Sequence, residues 1–334
     1  MNVFIHPRFD ALYEPHPLVL VDVGARGGVK NNWKPAESHL RVIRFEPDKL
    51  EFGRLVERSQ SDGGRITIFN TALHKERGVL KLYVAKDRGL TSIFEPNREF
   101  LDTFPEAERF DTTDIAQIEV DTLDHVLLEG SVEDVDFVKA NTQGSELFVL
   151  QGGDQTLASS VVGVEVEVEF VPIYKGQPLF TDVDTYLRQL GFALFDLRPC
   201  FWKRAAGRGI GGPQGQMICA DALYLRTLPS LEQMLGACDA TRRKAKLLKA
   251  LSVSILYGYY DYALEMARQS APVLDADERA AIEGQLSTAA SDAGPMPKFP
   301  GRRQVAAVAH RLWKLSADRN DAWSISDAEL GNQG

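Results

Sequence analysis

Short apolar runs alternate with helix-length segments between residues 18 and 226 of this 334-residue chain. The runs that we predict to be strands are residues 18–23, 41–47, 66–73, 135–141 and 161–170. Segments long enough for helices, such as 48–60 and 144–160, lie between several of these runs. Because parallel strands are joined by helical crossovers, the alternation predicts an α/β fold with a parallel sheet covered by helices on both faces.

The alternation ends after a predicted helix at 182–192. Two further apolar runs follow at 192–197 and 220–227, and a Gly-rich loop at 205–216 separates them in place of a helix. Two strands joined by a loop alone predict an antiparallel pair at one edge of the sheet.

Composition excludes several classes of protein. The net charge of −9 argues against non-specific binding of nucleic acid, which needs a basic surface. Cys200, Cys219 and Cys238 are too widely spaced for a disulfide framework or a thiolate zinc site, which favours a reducing, cytoplasmic location. We find no run of 18 apolar residues and no signal-like N-terminus, so we expect neither a transmembrane segment nor export.

The composition changes after the last predicted strand, and this change sets the predicted domain organisation. An Ala- and Leu-rich stretch with helical spacing predicts two to four helices, and a Pro- and Gly-rich linker follows it. The predicted parts are a lead-in at 1–17, a main domain at 18–228, an α-helical extension at 229–292, and a linker, basic helix and polar tail at 293–334.

The predicted basic helix, residues 302–315, is amphipathic. Its apolar residues at helical spacing are Val305, Val308, Ala309, Leu312 and Trp313. We expect this face to dock onto the main domain or onto a second subunit in preference to a membrane surface. A homodimer through the C-terminal helices is therefore one expectation.

The first predicted strand ends in an acid and leads into three glycines, in the sequence VDVGARGG. Glycine lets a ligand approach the unpaired N–H groups at a helix start, although an ordinary strand-to-helix turn also uses it. A dinucleotide site would show G-x-G-x-x-G, whereas the spacing here is D-x-G-x-x-G-G. Asp22 would repel a pyrophosphate but suits a cationic, amine-bearing ligand.

Glu46 ends the second predicted strand, directly before Pro47. A carboxylate at this position can accept hydrogen bonds from both hydroxyls of a ribose. Asp22, Gly24, Gly27 and Glu46 together therefore favour S-adenosylmethionine over NAD as the cofactor.

A series of motifs makes residues 18–226 resemble the FkbM family of S-adenosylmethionine-dependent methyltransferases. In chain order these motifs are VDVGARGG, RFEP, NTAL, GLTSIFEPN, VDTLD, DFVKANTQGSELFVLQGG, EVEF followed by PIYKGQP, and GQMICADALYLR. The resemblance implies a Rossmann-like, seven-stranded class I methyltransferase sheet with an antiparallel last strand. It does not cover residues 229–334, the predicted α-helical C-terminal extension and tail.

The resemblance also implies positions for the cofactor, whose product after transfer is S-adenosylhomocysteine. Its implied cofactor-binding residues are Gly24, Ala25 and Gly27 under the methionine part, Glu46 with Pro47 at the ribose, and Thr71 and Ala72 near the adenine.

Polar residues follow or line the fourth and fifth predicted strands. Glu165, Glu167 and Glu169 alternate along the fifth strand and therefore share one face. Since a central parallel strand is buried on both faces, these acids need partners or a cavity. We expect Glu165 to be paired with Lys139 or an arginine, or to lie on an exposed part of the sheet. We consider Glu167, which matches the family acid, and Glu169 as candidate bases.

Methyl transfer to a hydroxyl needs alignment of donor and acceptor and a base that takes the proton. Lys139 matches the family lysine and would hold a carboxylate or lower the pKa of the bound hydroxyl. Asn141 stands where the family usually has Asp. An amide can orient a hydroxyl or the amine of the cofactor, but it cannot act as a base and is a poor ligand for a hard cation. We therefore expect a glutamate base and no divalent metal.

Two loops supply further candidates for contact with the substrate. Thr91 and Ser92 in GLTSIFEPN either touch the substrate or are ordinary turn residues. Lys203, Arg204 and Arg208 flank the Gly-rich loop, where they either grip a phosphate or an acidic sugar or stay solvated.

The sequence thus favours an O-methyltransferase that acts on a hydroxyl of a sugar, glycan or secondary metabolite. The alternative is a non-catalytic methyltransferase fold that binds a partner through its helical C-terminal region, and Asn141 keeps that alternative open. A nicotinamide oxidoreductase is disfavoured by the glycine spacing.

Overall fold

The computed structural model describes residues 9, 12–24, 29–59, 63–207, 215–270, 273–292, 299–316, 323–325 and 330. The strands are β1 (Leu18–Val23), β2 (Leu40–Phe45), β3 (Ile66–Phe69), β4 (Ala72–Leu73), β5 (Gly78–Ala85), β6 (Thr112–Asp121), β7 (Phe137–Ala140), β8 (Gly163–Glu169), β9 (Phe192–Trp202), β10 (Gln216–Arg226) and β11 (Trp323–Ile325).

The α-helices are α1 (Lys49–Ser59), α2 (Arg98–Leu101), α3 (Leu123–Glu129), α4 (Glu146–Gln151), α5 (Asp154–Ser159), α6 (Phe180–Gln189), α7 (Leu228–Gly236), α8 (Ala240–Leu256), α9 (Tyr260–Gln269), α10 (Ala276–Asp292) and α11 (Arg302–Ser316). A 3₁₀ helix spans Asn31–His39. None of the described helices is long and apolar enough to cross a membrane.

The larger sheet has the strand order β11-β9-β10-β8-β7-β1-β2-β3. The strands from β8 to β3 in this order pair in parallel, whereas β10 is antiparallel to both β8 and β9. Apart from the three-residue edge strand β11, this is the expected seven-stranded sheet with an antiparallel last strand. The predicted antiparallel pair is β9 with β10, and that prediction is confirmed.

A second, three-stranded sheet has the order β4-β6-β5, and the sequence analysis did not predict β5 or β6. The run 66–73, predicted as one strand, forms β3 in the larger sheet and β4 in the smaller one. The chain leaves the larger sheet at Asn70, whose amide Nδ2 donates to the backbone oxygens of Glu46 (2.8 Å) and Pro47 (3.2 Å). Because the Asn70 side chain bonds this backbone in place of the next residues of the strand, β3 ends here and the predicted single strand is divided in two.

The two faces of the larger sheet bury different apolar clusters. Val19 and Val21 pack in a cluster with residues of α3 to α6. Leu18 and Leu20 lie on the opposite face, in one cluster with Leu247 of α8 and other residues of α7 to α10. The composition of the sequence therefore changes at the predicted boundary at residue 228, but residues from both sides of this boundary pack into one apolar cluster.

A buried charge cluster fastens α8 to the chain before β7. Lys246 and Lys249 are each 1% exposed. Lys246 Nζ lies 2.9 Å from Asp134 Oδ1, and Lys249 Nζ lies 3.0 Å from Asp136 Oδ2. Asp136 also accepts a 2.8 Å hydrogen bond from the backbone N–H of Val19 on β1. The cluster thus joins the C-terminal helices to the central strands.

We expect Lys246→Met to lower the free energy of unfolding by about 3 kcal/mol, because it leaves a buried carboxylate without one of its cations. Urea unfolding followed by circular dichroism measures this change. Lys244→Met is the matched control, since the Lys244 side chain is 30% exposed and its pairing with Glu278 should contribute no more than about 1 kcal/mol. Equal losses in the two variants would contradict the buried role.

The same cluster predicts a dependence of stability on pH. Burial by itself would raise the pKa of Asp134, but Lys246 and Lys249 outweigh it and lower this pKa from 3.8 to about 2. Since the folded pKa is the lower one, the unfolded chain binds the proton more readily, and this stabilisation is complete above the unfolded pKa and disappears as the pH falls through about 2. Urea unfolding across this acidic range should show a shallower pH dependence in Lys246→Met than in the natural protein. An unchanged slope would contradict the assignment.

Candidate active site

A row of charged side chains crosses the middle of the larger sheet. In register, Arg44 of β2 is the neighbour of Asp22 of β1, Asp22 of Lys139 of β7, and Lys139 of Glu165 of β8. All four lie on the face that carries Leu18 and Leu20, because side chains alternate along a strand. The sign of the charge alternates from each strand to the next.

Asp22 is the most enclosed member of this row, with 1% of its surface exposed. Its Oδ1 accepts a 2.8 Å hydrogen bond from Lys139 Nζ, and Arg44 Nε lies 3.8 Å from its Oδ2. Asp22 Oδ2 accepts no hydrogen bond from any residue that the structure describes. A buried acceptor of this kind normally has a donor, and the amine of S-adenosylmethionine would supply one. Through its hydrogen bond to Asp22, Lys139 holds a carboxylate, which is one of its two expected roles.

Gly24 directly follows β1 and has a φ of +79°. A Cβ on this residue would lie 1.9 Å from the backbone oxygen of Asn141, at the end of β7. The close approach of two chain segments and the left-handed backbone therefore require glycine here, whereas the sequence analysis attributed it to space for a ligand. Ala25 and Gly27, the other predicted cofactor residues of this turn, lie outside the described residues.

The predicted ribose and adenine residues lie together at the ends of β2 and β3. Glu46 is 3% exposed, and its Oε1 accepts a 2.9 Å hydrogen bond from the backbone N–H of Asp48. Asn70 fixes the backbone of Glu46 and Pro47, as described above, and Thr71 and Ala72 follow it directly. The local geometry is therefore compatible with the predicted cofactor contacts.

Three carboxylates meet beyond the charged row. Glu146, Glu167 and Glu169 each place one carboxylate oxygen within 4.8 Å of the other two. Glu146 accepts hydrogen bonds from the backbone N–H groups of Thr142 and Gly144, so it braces the loop between β7 and α4. Three carboxylates are also a donor set for a hard divalent cation, and the expectation of a metal-free site stays a prediction.

Burial and mutual repulsion raise the pKa values of this carboxylate cluster. Burial, followed by the charges of Glu146 and Asp221, raises the pKa of Glu167 to about 8. Burial and the charges of Glu146 and Glu167 hold the pKa of Glu169 well above its ordinary value. Glu146 and Glu169 are buried, whereas Glu167 is partly exposed. Of the two candidate bases, Glu167 is thus the one that a ligand can reach more easily.

Gln143 connects Asn141 with Glu167. Its Nε2 donates to Asn141 Oδ1 (3.1 Å) and to Glu167 Oε2 (3.2 Å), and its Oε1 accepts a 3.2 Å hydrogen bond from the hydroxyl of Tyr174. The amide of Gln143 therefore holds both Asn141 and the candidate base Glu167. Tyr174 is fully buried, and no sequence pattern predicted its contact with Gln143; the only signal was an aromatic residue in the motif PIYKGQP.

Glu165 has a structural role, as expected, but its partners differ from the expected ones. Its Oε1 lies 2.6 Å from Lys30 Nζ, and its Oε2 accepts a 2.7 Å hydrogen bond from the hydroxyl of Tyr257. Lys30 also contacts Asp221 Oδ2 at 2.9 Å. Tyr257 directly follows α8, so the C-terminal helices reach the border of the site.

The structure assigns Thr91 and Ser92 to the support of loops. Thr91 Oγ1 accepts a 3.2 Å hydrogen bond from the backbone N–H of Ala85. The hydroxyl of Ser92 is buried, donates to the backbone oxygen of Gln143 (2.7 Å) and accepts from the N–H of Phe94 (3.1 Å). Both hydroxyls thus have backbone partners, which fits the turn interpretation, and a contact with the substrate stays a prediction.

Lys203 and Arg204 have different surroundings. Arg204 donates to Thr103 Oγ1 and Gln216 Oε1, and its guanidinium lies 4.9 Å from the ring centroid of Phe104. It therefore braces the loop, and its predicted contact with the substrate stays a prediction. Lys203 is buried, and its Nζ has no hydrogen-bond partner among the described residues, so its predicted role stays a prediction. Arg208 lies outside those residues.

Several solved structures are similar to this chain. A methyltransferase FkbM from Methylobacillus flagellatus KT has 14% sequence identity and a TM-score of 0.37, and the similarity covers 63% of this chain but only 43% of that protein. A precorrin-6y C5,15-methyltransferase from Geobacter metallireducens GS-15 has 12% identity, a TM-score of 0.32 and coverage of 65% of this chain and 87% of its own. TrmK of M. capricolum, in complex with S-adenosylhomocysteine, has 6% identity, a TM-score of 0.32 and coverage of 85% and 95%.

The family comparison concerns the part of the chain that carries the site. No curated protein matches the sequence. Residues 22–194 match the family model described as the methyltransferase FkbM domain, which is more than half of the chain. This segment contains Asp22, Glu46, Lys139 and the carboxylate cluster. The chain therefore belongs to the FkbM family of methyltransferases, whose cofactor is S-adenosylmethionine.

Proposed function

We propose that this methyltransferase acts on a hydroxyl group of a sugar, glycan or secondary metabolite, with Glu167 as the base. One observation carries the proposal: a partly exposed carboxylate with a pKa of about 8 lies near the carboxyl end of β8, where Gln143 links it to Asn141. A neutral hydroxyl is a weak nucleophile, and a positioned base accelerates its reaction by removing the proton. The polar groups around Glu167, from Asn141 and Gln143, suit an acceptor that carries several hydroxyls.

The residues at the strand ends divide the work. Asp22 and Glu46 would hold the amine and the ribose of the cofactor, which supplies an activated methyl group when it is bound. Gln143 holds one oxygen of Glu167, so the direction of the carboxylate is fixed before the acceptor arrives. Glu167 takes the hydroxyl proton as the new bond forms. Asn141, linked to Glu167 through Gln143, orients the acceptor or the cofactor amine.

We expect Glu46→Gln to weaken the binding of S-adenosylhomocysteine by about tenfold or more, because it replaces two charge-assisted hydrogen bonds by neutral ones. Isothermal titration with S-adenosylmethionine, S-adenosylhomocysteine and NAD measures the affinities, and NAD should not bind. Glu57→Gln on the exposed surface of α1 is the control and should bind like the natural protein. An unchanged affinity in Glu46→Gln would remove the ribose assignment.

We expect Glu167 to be mostly protonated near neutral pH and to ionise through about pH 8. Infrared difference spectra between about pH 7 and pH 9 should show the loss of a carboxylic-acid C=O band, and Glu167→Gln should abolish that band. This test needs no acceptor. Persistence of the band in Glu167→Gln, with its loss in Glu169→Gln, would assign the titration to Glu169.

The rate should follow the same titration. Release of S-adenosylhomocysteine in the presence of a panel of sugars and polyhydroxylated metabolites should rise with pH and level off above about 8, because only ionised Glu167 accepts the proton. Glu167→Gln should reduce the rate by about a hundredfold or more at unchanged affinity for the cofactor. Tight binding of S-adenosylhomocysteine without turnover of any acceptor would favour the non-catalytic alternative.

A further inference from the structure

The helix α11 exposes an apolar face. Val305 is 49% exposed, Val308 58% and Leu312 62%, and Phe299, shortly before the helix, is 40% exposed. The expected docking of this face onto the main domain is therefore not what the described structure shows. Four large apolar side chains exposed within fourteen residues form a surface that needs a partner.

Arginines border this face on both sides. At about 100° per residue, Val305, Val308 and Leu312 fall within an arc of about 60° on the helix surface. Arg302 and Arg311 lie about 60° beyond its two edges. The helix sequence RRQVAAVAHRLWKLS holds three arginines, one lysine and no acid, within a chain whose net charge is −9. A narrow apolar stripe between cations is typical of helices that lie in the plane of an anionic bilayer surface.

A second copy of the chain fits this face less well. The other large apolar side chains that are exposed in the described structure are Leu50, Val56, Val79, Ile115, Leu128 and Met217. They belong to five different elements, so they offer no single apolar face for α11. Pairing α11 with the α11 of another copy would bring its cations close to those of that copy, at a cost in repulsion. An anionic bilayer offers an apolar layer for the stripe and phosphates for the arginines.

We propose that α11 binds the surface of a membrane rich in anionic lipid. Val305, Val308 and Leu312 enter the boundary between headgroups and acyl chains, and Arg302 and Arg311 contact lipid phosphates. The body of the enzyme is thereby held at the membrane surface. This inference does not depend on the acceptor or on the base proposed above.

Flotation of the full chain with unilamellar vesicles tests the proposal. The chain should bind vesicles of phosphatidylcholine with phosphatidylglycerol, and only weakly vesicles of phosphatidylcholine alone. Leu312→Asp should weaken this binding by about tenfold or more, because it places a charge on the inserted face. Ala307→Asp, on the opposite side of the helix, introduces the same charge and should change binding by no more than about threefold.

The double variant Arg302→Gln/Arg311→Gln should also weaken binding by about tenfold and reduce its sensitivity to salt. All variants should bind S-adenosylhomocysteine like the natural protein, which separates this test from folding and from the proposed function. Absence of binding to the anionic vesicles would overturn the proposal, as would equal binding by Leu312→Asp. A dimer in size-exclusion chromatography that Leu312→Asp converts to a monomer would assign the face to a second copy instead.

Discussion

The charged row Arg44–Asp22–Lys139–Glu165 crosses the sheet face that carries Leu18 and Leu20. Toward the amino ends of the strands this face carries leucines, which the C-terminal helices cover. Charges cannot be buried in such a layer unless they are paired. Asp22 lies against Lys139 and Arg44, and Glu165 pairs with Lys30. The row therefore marks where the apolar covering ends. The polar positions next along the same strands, Glu46, Asn141 and Glu167, form the site.

The helix α8 is bound to the central strands at two places. Lys246 and Lys249 pair with the aspartates that precede β7. The ring of Tyr257 stacks on Phe137, the first residue of β7, with 5.5 Å between the ring centroids, and its hydroxyl donates to Glu165 of β8. The C-terminal extension thus contributes to the core of the methyltransferase fold and closes one side of the charged row. Its composition differs from that of the main domain because a covering helix needs alanine and leucine, not β-branched residues.

Local pattern was sufficient for the strands of the larger sheet other than β11, for the shared face of Glu165, Glu167 and Glu169 and for the position of Glu46. Each of these follows from period-two alternation or from the end of a strand. The contacts that complete the site connect residues far apart in sequence, such as Lys30 with Glu165 and Tyr174 with Gln143, and no local period encodes them. The requirement for glycine at position 24 could not be predicted from local sequence either, because it comes from the close approach of the Asn141 backbone, more than a hundred residues later.

The carboxylate cluster has too few cations beside it to balance its negative charges, and burial together with this imbalance raises its pKa values. Lys139 is the cation that lowers the pKa of Glu167, but it already donates to Asp22. Ionising Glu146, Glu167 and Glu169 together would then place three negative charges within 4.8 Å, so protons or a bound cation must offset some of them. A carboxylate with a pKa of about 8 is ionised in a minority of molecules at neutral pH, but it is a stronger base when it is ionised. For an unactivated hydroxyl acceptor, the greater basicity outweighs the smaller ionised fraction, because the hydroxyl holds its proton far more tightly than an ordinary carboxylic acid does.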